Sequence, residues 1–144
     1  MAKTQRKSFG DIEICWQEAG WASVTLDPAG GCDSGRRCPV VLVHGHPFDA
    51  TMWQPQTTFL AEHFRVIVPE LRGYGESSLP EGATETRLET FAADILALLD
   101  SLSVRNFVLG GLSMGGQIAL EIMRQAGQRI RALILSDTFV GLDS

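Results

Sequence analysis

The sequence lacks any hydrophobic run as long as a membrane-spanning helix, which needs about 20 predominantly apolar residues. It has no basic cluster larger than Arg36–Arg37, and its net charge is −5. An acidic chain of this kind disfavours binding to nucleic acid or to an anionic membrane surface. The basic N-terminal residues are not followed by the apolar segment of a signal peptide. We therefore expect a cytoplasmic protein with no nucleic-acid partner and no membrane partner.

Cysteine is also scarce, with Cys15, Cys32 and Cys38 as the full set. An odd number of cysteines in such a chain does not indicate a disulfide framework. No second Cys or His pair stands at the spacing of zinc ligands, so we predict neither a metal nor another cofactor. Cys32 and Cys38 are interpreted as two thiols in a surface loop, and a disulfide between them is the alternative.

The residues that are present form a pattern typical of an α/β protein. Hydrophobic residues make up 44% of the 144 positions, enough for one domain with a core. Short apolar runs alternate with segments of helical periodicity. The predicted strands cover residues 11–18, 21–27, 39–44, 65–69, 106–110 and 131–135, and the predicted helices cover 51–63, 86–102 and 115–126. This order predicts a mainly parallel open sheet with helices on both faces.

Capping residues and apolar stripes support the predicted helices. Asp49 or Thr51 can cap the first helix, and Thr86 with Glu89 fits a capping box at the start of the second. The apolar stripe of the second helix comprises Leu88, Phe91, Ala92, Ile95, Leu98, Leu99 and Leu102. In the third helix the residues expected to face the core are Ile118, Ala119, Ile122 and Met123.

The segment Gly111-Leu112-Ser113-Met114-Gly115 lies between a predicted strand and a predicted helix. A serine in this context sits on a tight turn, and small residues at 111 and 115 allow the backbone to approach closely. The helix N-terminus favours a developing negative charge. We therefore predict that Ser113 is a nucleophile. A glycine-rich turn capped by a serine is the structural alternative.

Other polar residues follow the predicted strands. His44 and His46, the segment 70–73, Ser113 and Asp137 all stand directly after an apolar run. In open parallel sheets, sites form where loops leave the carboxyl ends of the strands. We therefore expect these residues at one edge of the sheet.

Three loop motifs together resemble the α/β-hydrolase superfamily. They are His44-Gly45-His46-Pro47, Arg72-Gly73-Tyr74-Gly75-Glu76-Ser77 and Gly111-Leu112-Ser113-Met114-Gly115-Gly116. The resemblance runs from about residue 9 to residue 144, and it is nearest to small carboxylesterases and to lactonases that resemble 3-oxoadipate enol-lactonase. It implies a serine hydrolase that acts on short-chain esters or lactones through an acyl-enzyme on Ser113. The backbone N–H groups of His46 and Met114 would then form the oxyanion hole.

The resemblance also implies roles for other side chains. Asp137 would be the catalytic acid, with a loop aspartate or a cap as the alternative. His44 would brace its loop by hydrogen bonding, with a role as general base as the alternative. Glu70 is expected to form a loop-bracing ion pair with Arg72, and His63 is expected at the surface.

No evident general base accompanies Ser113, because no histidine follows it in the sequence. In the family the catalytic histidine follows an eighth strand, whereas the predicted elements here end after the sixth. We therefore expect residues 1–144 to form a single, incomplete α/β-hydrolase core domain.

The strand at 131–135 would then be an exposed apolar edge, covered by self-association or by a complementing C-terminal segment. The alternatives to ester hydrolysis are a truncated scaffold that binds a small molecule or a protein, and the same fold performing perhydrolysis or carbon–carbon hydrolysis.

Overall fold

The computed structural model describes residues 2–20 and 38–140. In this part of the chain six strands form one sheet in the order β1-β2-β4-β3-β5-β6. The strands are β1 Lys3–Phe9, β2 Ile12–Ala19, β3 Val40–Val43, β4 Val66–Pro69, β5 Phe107–Leu112 and β6 Ile130–Ser136. The pairs β1–β2 and β2–β4 are antiparallel, and the other three pairs are parallel. The predicted open, mainly parallel sheet is confirmed, and the strand predicted over 21–27 lies outside the described residues.

Helices cover both faces of the sheet, as predicted. A 3₁₀ turn at Ala50–Trp53 leads into α1 Gln54–Leu60, and the longer helices are α2 Leu88–Ser101 and α3 Met114–Ala126. Val41 and Val43 of β3 pack in the cluster that contains α2 and α3. Val40 and Leu42 pack in the second cluster, with the 3₁₀ turn and α1. This alternation explains why β3 is apolar at every position, since a central parallel strand is buried on both faces.

The first strand was not predicted from the sequence. β1 pairs with β2 along its whole length, from Lys3 opposite Glu18 to Phe9 opposite Ile12. Most of its side chains are exposed, and Gln5 and Phe9 are half-buried. With one apolar side chain in seven residues, β1 carries no hydrophobic alternation to detect.

Two predictions about the helices are wrong. α2 begins at Leu88 with Arg87 as its N-cap and no side-chain cap, so the helix starts one residue too late for the predicted box of Thr86 and Glu89. Met123 was expected to face the core, but it is 49% exposed. Met123 lies about 100° around the helix from Ile122, which is buried, and this rotation takes it out of the apolar stripe. The predicted cap of the first helical segment is confirmed for Asp49, which accepts from the Thr51 N–H at 2.8 Å.

The edge strand β6 exposes apolar side chains. Among the described residues β6 pairs with β5 and with no other strand. Ile134 is 53% exposed, and it stands opposite Gly110 of β5, which has no side chain to cover it. None of the helices over residues 2–20 and 38–140 is long and apolar enough to cross a membrane.

Candidate active site

Ser113 occupies the sharp turn between β5 and α3. Its backbone has φ 53° and ψ −118°, and its side chain is exposed. A non-glycine residue in such a conformation costs about 1–3 kcal/mol and persists only where its surroundings hold it. Here the Ser113 N–H donates to the Ser136 carbonyl at 3.0 Å, while its own carbonyl accepts from Gly116 N–H at 2.9 Å and from Thr138 Oγ1 at 2.8 Å.

The turn is possible because the glycines around it allow close backbone contact. A Cβ placed on Gly115 would lie 2.6 Å from the His44 carbonyl oxygen, and one on Gly111 would lie 2.5 Å from the Gly115 carbonyl carbon. A Cβ on Gly45 would lie 3.4 Å from the Ser113 Cβ. The loop after β3 therefore lies directly against the serine, as the edge-of-sheet argument predicts.

The backbone N–H groups of His46 and Met114 flank this contact. Met114 is the first residue of α3, so its N–H has no acceptor within the helix. Both groups are without a hydrogen-bond acceptor in the part of the chain that the structure describes.

His44 is fully buried, and both of its ring nitrogens have partners. Nδ1 lies 3.0 Å from the Gly45 carbonyl, and Nε2 accepts from the Leu71 N–H at 3.1 Å. Burial lowers the pKa of His44, although the bond to the Gly45 carbonyl acts in the opposite direction. A neutral ring with the proton on Nδ1 satisfies both bonds, and this arrangement favours loop bracing over proton transfer.

His46 is exposed, and within residues 2–20 and 38–140 its ring has one hydrogen-bond partner. Its Nδ1 is 2.7 Å from the hydroxyl of Tyr74. The two rings meet edge to face, with centroids 5.8 Å apart. The Tyr74 loop was recognised as a motif in the sequence, but this contact was not foreseen.

Asp137 is exposed, directly after the residue whose carbonyl holds Ser113. Its φ is 44°, so it is another non-glycine residue in the left-handed region. No hydrogen bond or ion pair joins its carboxylate to another residue within 2–20 or 38–140. The structure thus places Asp137 next to the serine turn along the chain, without a bonded histidine between them.

The predicted ion pair between Glu70 and Arg72 is wrong. Arg72 instead bonds Asp94 of α2 through Nε and Nη2, at 2.6 and 2.7 Å. The Glu70 carboxylate is buried, and it accepts from the Glu76 N–H at 2.7 Å. Burial raises the pKa of Glu70, and the bond from Glu76 partly offsets the rise. The two side chains leave the same loop in different directions, which the sequence does not indicate.

The structure also describes the remaining histidine and two of the three cysteines. His63 is exposed, as predicted. Cys15 is a buried free thiol, and Cys38 is disulfide-bonded, so its interpretation as a surface thiol is wrong. Cys32 lies outside the described residues. Over the part of the chain that the structure describes, no three His, Cys, Asp or Glu side chains are grouped to hold a metal ion.

The family model of the alpha/beta hydrolase fold matches residues 39–144, which include β3, the serine turn and β6. The chain belongs to the α/β-hydrolase family. Its resemblance to that family, inferred from three loop motifs, is confirmed.

Known α/β hydrolases resemble this chain over part of their length. A non-heme chloroperoxidase of Streptomyces lividans is 36% identical over 99 residues, which are 67% of this chain and 35% of the relative. The carboxylesterase YbfK of Bacillus subtilis is 33% identical over 98 residues, which are 67% of this chain and 33% of the relative. The structure of a thermophilic esterase from Thermogutta terrifontis superposes with a TM-score of 0.77 at 38% identity, and covers 99% of this chain and 48% of that chain. This α/β hydrolase chain therefore spans less than half the length of each.

Proposed function

We propose that this α/β hydrolase chain carries the nucleophile and the oxyanion hole of a serine hydrolase acting on short-chain carboxylic esters or lactones. The observation that carries the proposal is the backbone of Ser113, at φ 53° on a strand-to-helix turn with the Gly45 backbone packed against it. Such a turn exposes the hydroxyl beside two N–H groups that have no acceptor among the described residues. The names of the carboxylesterase and esterase relatives support an ester as the substrate.

In the proposed reaction the Ser113 hydroxyl oxygen attacks the ester carbonyl carbon while its proton passes to a base. The carbonyl oxygen becomes an oxyanion that accepts from the N–H groups of His46 and Met114, each worth about 2.7–4 kcal/mol of the barrier. The alcohol oxygen takes up this proton from the base and leaves from an ester, or stays attached as a hydroxyl group of the acyl chain from a lactone, and an acyl ester remains on Ser113. Water then hydrolyses this ester, releases the acid and returns the proton to the serine.

The general base is proposed to come from a second polypeptide segment. All three histidines of this sequence lie in the described residues, and none has a hydrogen bond to the Ser113 hydroxyl. His44 uses both ring nitrogens elsewhere. A second copy of the chain or a complementing C-terminal segment is therefore the proposed source, and Asp137 is the proposed acid that would orient the incoming imidazole.

Covalent labelling of Ser113 tests the proposal. We expect a fluorophosphonate probe to label Ser113, and added imidazole to raise the labelling rate by acting as an external base. The site is identified by peptide mass analysis. Ser113→Ala should show no labelling at this peptide. Ser103 is an internal control, because it is also exposed and has φ 56°, but it follows a helix rather than preceding one.

A non-catalytic scaffold is the second candidate function. It is favoured by the lack of a base bonded to Ser113 among the described residues. This candidate predicts no labelling of Ser113 at any imidazole concentration, together with saturable binding of an ester analogue. Labelling of Ser103 at the rate of Ser113 would also count against a hydrolase, because it would show reactivity of any exposed serine.

A further inference from the structure

We infer that Tyr74 is a positioning residue for the oxyanion hole. Its hydroxyl holds the loop of residues 44–48 in place. The inference rests on the proposed function. It concerns two loops that meet beside Ser113, the β3 loop (residues 44–48) and the β4 loop (residues 70–78). Tyr74 belongs to the β4 loop, whereas the N–H group that it serves belongs to His46 of the β3 loop.

Two hydrogen bonds join the loops at points on either side of Gly45. The Leu71 N–H donates to His44 Nε2 at 3.1 Å, and the Tyr74 hydroxyl lies 2.7 Å from His46 Nδ1. The first point is buried and the second is exposed. The residue between the two attachments is the one whose backbone lies against Ser113. Together the two bonds limit rotation of the peptide groups that face the serine.

Tyr74 is itself held firmly enough to serve as an anchor. Its N–H donates to the Leu71 carbonyl at 2.9 Å, and its carbonyl accepts from the Ser77 N–H at 3.0 Å. Its half-buried ring lies 5.3 Å from the ring of His44 and 6.4 Å from that of Phe91 on α2. The hydroxyl therefore projects from a packed ring toward a side chain that is otherwise exposed to solvent.

The bond acts on the reaction through the direction of an N–H group. Oxyanion-hole donors contribute most when they are already aimed at the developing charge, so that no reorganisation is needed. His46 is exposed, and its ring has no hydrogen bond other than the one to Tyr74 among the described residues. Loss of that bond frees the side chain of the same residue that supplies the N–H donor. Tyr74 thus restrains the backbone of His46 by its hydrogen bond to the His46 imidazole.

Tyr74→Phe tests this inference, because it keeps the ring and removes the hydroxyl. The sequence has three histidines, so isotope-labelled histidine gives few ring resonances to assign. The matched control is Ser78→Ala, which removes another hydroxyl from the β4 loop. Ser78 Oγ accepts from the Glu13 N–H at 2.8 Å and has no bond to the β3 loop.

Two readouts are measured on the same proteins. The first is the rate of Ser113 labelling by the fluorophosphonate with imidazole present, as a function of probe concentration. In Tyr74→Phe we expect the limiting rate to fall about three- to tenfold, as for loss of one hydrogen bond, with half-saturation unchanged. The second is the ¹⁵N resonances of the His46 ring, which we expect to shift because Nδ1 loses its hydrogen-bond partner. Ser78→Ala should alter neither readout.

The outcomes separate the inference from the function on which it rests. Wild-type labelling rates in Tyr74→Phe, unchanged His46 resonances, or an equal loss in Ser78→Ala would each overturn the inference and leave the proposed function intact. A wild-type protein that is not labelled at Ser113 would overturn the proposed function, and the inference with it.

Discussion

Arg72 of the β4 loop donates two hydrogen bonds, of 2.6 and 2.7 Å, to the carboxylate of Asp94 on α2. Both side chains are largely shielded, with 17% and 13% of their surface exposed. Two parallel bonds from one guanidinium fix the angle between loop and helix as well as their separation. The pair therefore holds the β4 loop, which carries Tyr74, in place beside the site.

Loss of this pair should destabilise the fold. We expect Arg72→Ala to lower the free energy of unfolding by about 1.5–3 kcal/mol, the usual range for hydrogen bonds to charged groups. Arg72→Lys should recover part of the loss, since an ammonium group keeps the charge but not the paired geometry. Urea unfolding measures both variants.

The control for this pair is Arg124→Ala. Arg124 bonds Glu121 on α3, but its side chain is 68% exposed. Solvent screening leaves such surface pairs with little effect, so we expect no change in the urea midpoint. Equal destabilisation by Arg72→Ala and Arg124→Ala would show that the half-buried pair has no special role.

A side chain at position 115 should disrupt the serine turn. A Cβ there would lie 2.6 Å from the His44 carbonyl oxygen, which is backbone and cannot move aside cheaply. We expect Gly115→Ala to destabilise the protein by about 1–3 kcal/mol, as overpacking does, and to slow labelling of Ser113. The measurements are urea unfolding and the fluorophosphonate assay.

Gly127→Ala is the matched control for Gly115→Ala. A Cβ at Gly127 would meet only Met123 Cγ, at 3.7 Å, and the residue already has φ −56°. The substitution should leave stability unchanged or raise it by about 0.4–1 kcal/mol, because it restricts the unfolded chain. If Gly115→Ala were as stable to urea as Gly127→Ala, the close contact between position 115 and the His44 carbonyl would be contradicted.

The sheet and the position of the serine turn could be predicted from the sequence because both depend on local patterns. Val40–Val43 is apolar throughout because β3 is buried on both faces. The residues of β5 are likewise apolar up to the glycines that precede its turn. Ser113 could be placed because a tight turn requires small neighbours at fixed positions.

The contacts that brace the site could not be predicted in the same way. Arg72 and Asp94 are 22 residues apart, and His46 and Tyr74 are 28 apart. Polar side chains at such separations leave no periodic signal, and their pairing depends on how each loop turns. Arg72 next to Glu70 therefore indicated an ion pair that the fold does not form.

His44 should make stability depend on pH. Its pKa is lowered by burial from an ordinary value of 6.5, so on acidification the unfolded chain takes up a proton before the folded protein does. Its contribution is fully present above pH 6.5 and is lost as the pH falls through the folded-state pKa. We expect the free energy of unfolding to decline from pH 7 to pH 5.

Glu70 has the opposite effect, because its raised pKa makes its contribution fall as the pH rises. His44→Gln isolates the histidine, since Glu70 is present in both proteins. The decline below pH 6.5 should be smaller in His44→Gln than in the wild type. If His44→Gln does not fold, the pKa of His44 is measured in the wild type from the pH dependence of its ring resonances. A midpoint at or above pH 6.5 would refute the prediction.

The exposed edge of the sheet should mediate self-association, as proposed from the sequence. Ile134 of β6 is 53% exposed, and among the described residues β6 pairs with β5 and with no other strand. An apolar edge of this kind pairs readily with another strand, and a lysine on it opposes such pairing. In sedimentation velocity at micromolar concentration we expect wild-type protein to associate and Ile134→Lys to shift toward monomer. Met123→Lys is the control, because Met123 is 49% exposed but lies on α3, where a late lysine suits the helix dipole. A monomeric wild type, or equal effects of the two substitutions, would show that β6 does not provide the interface.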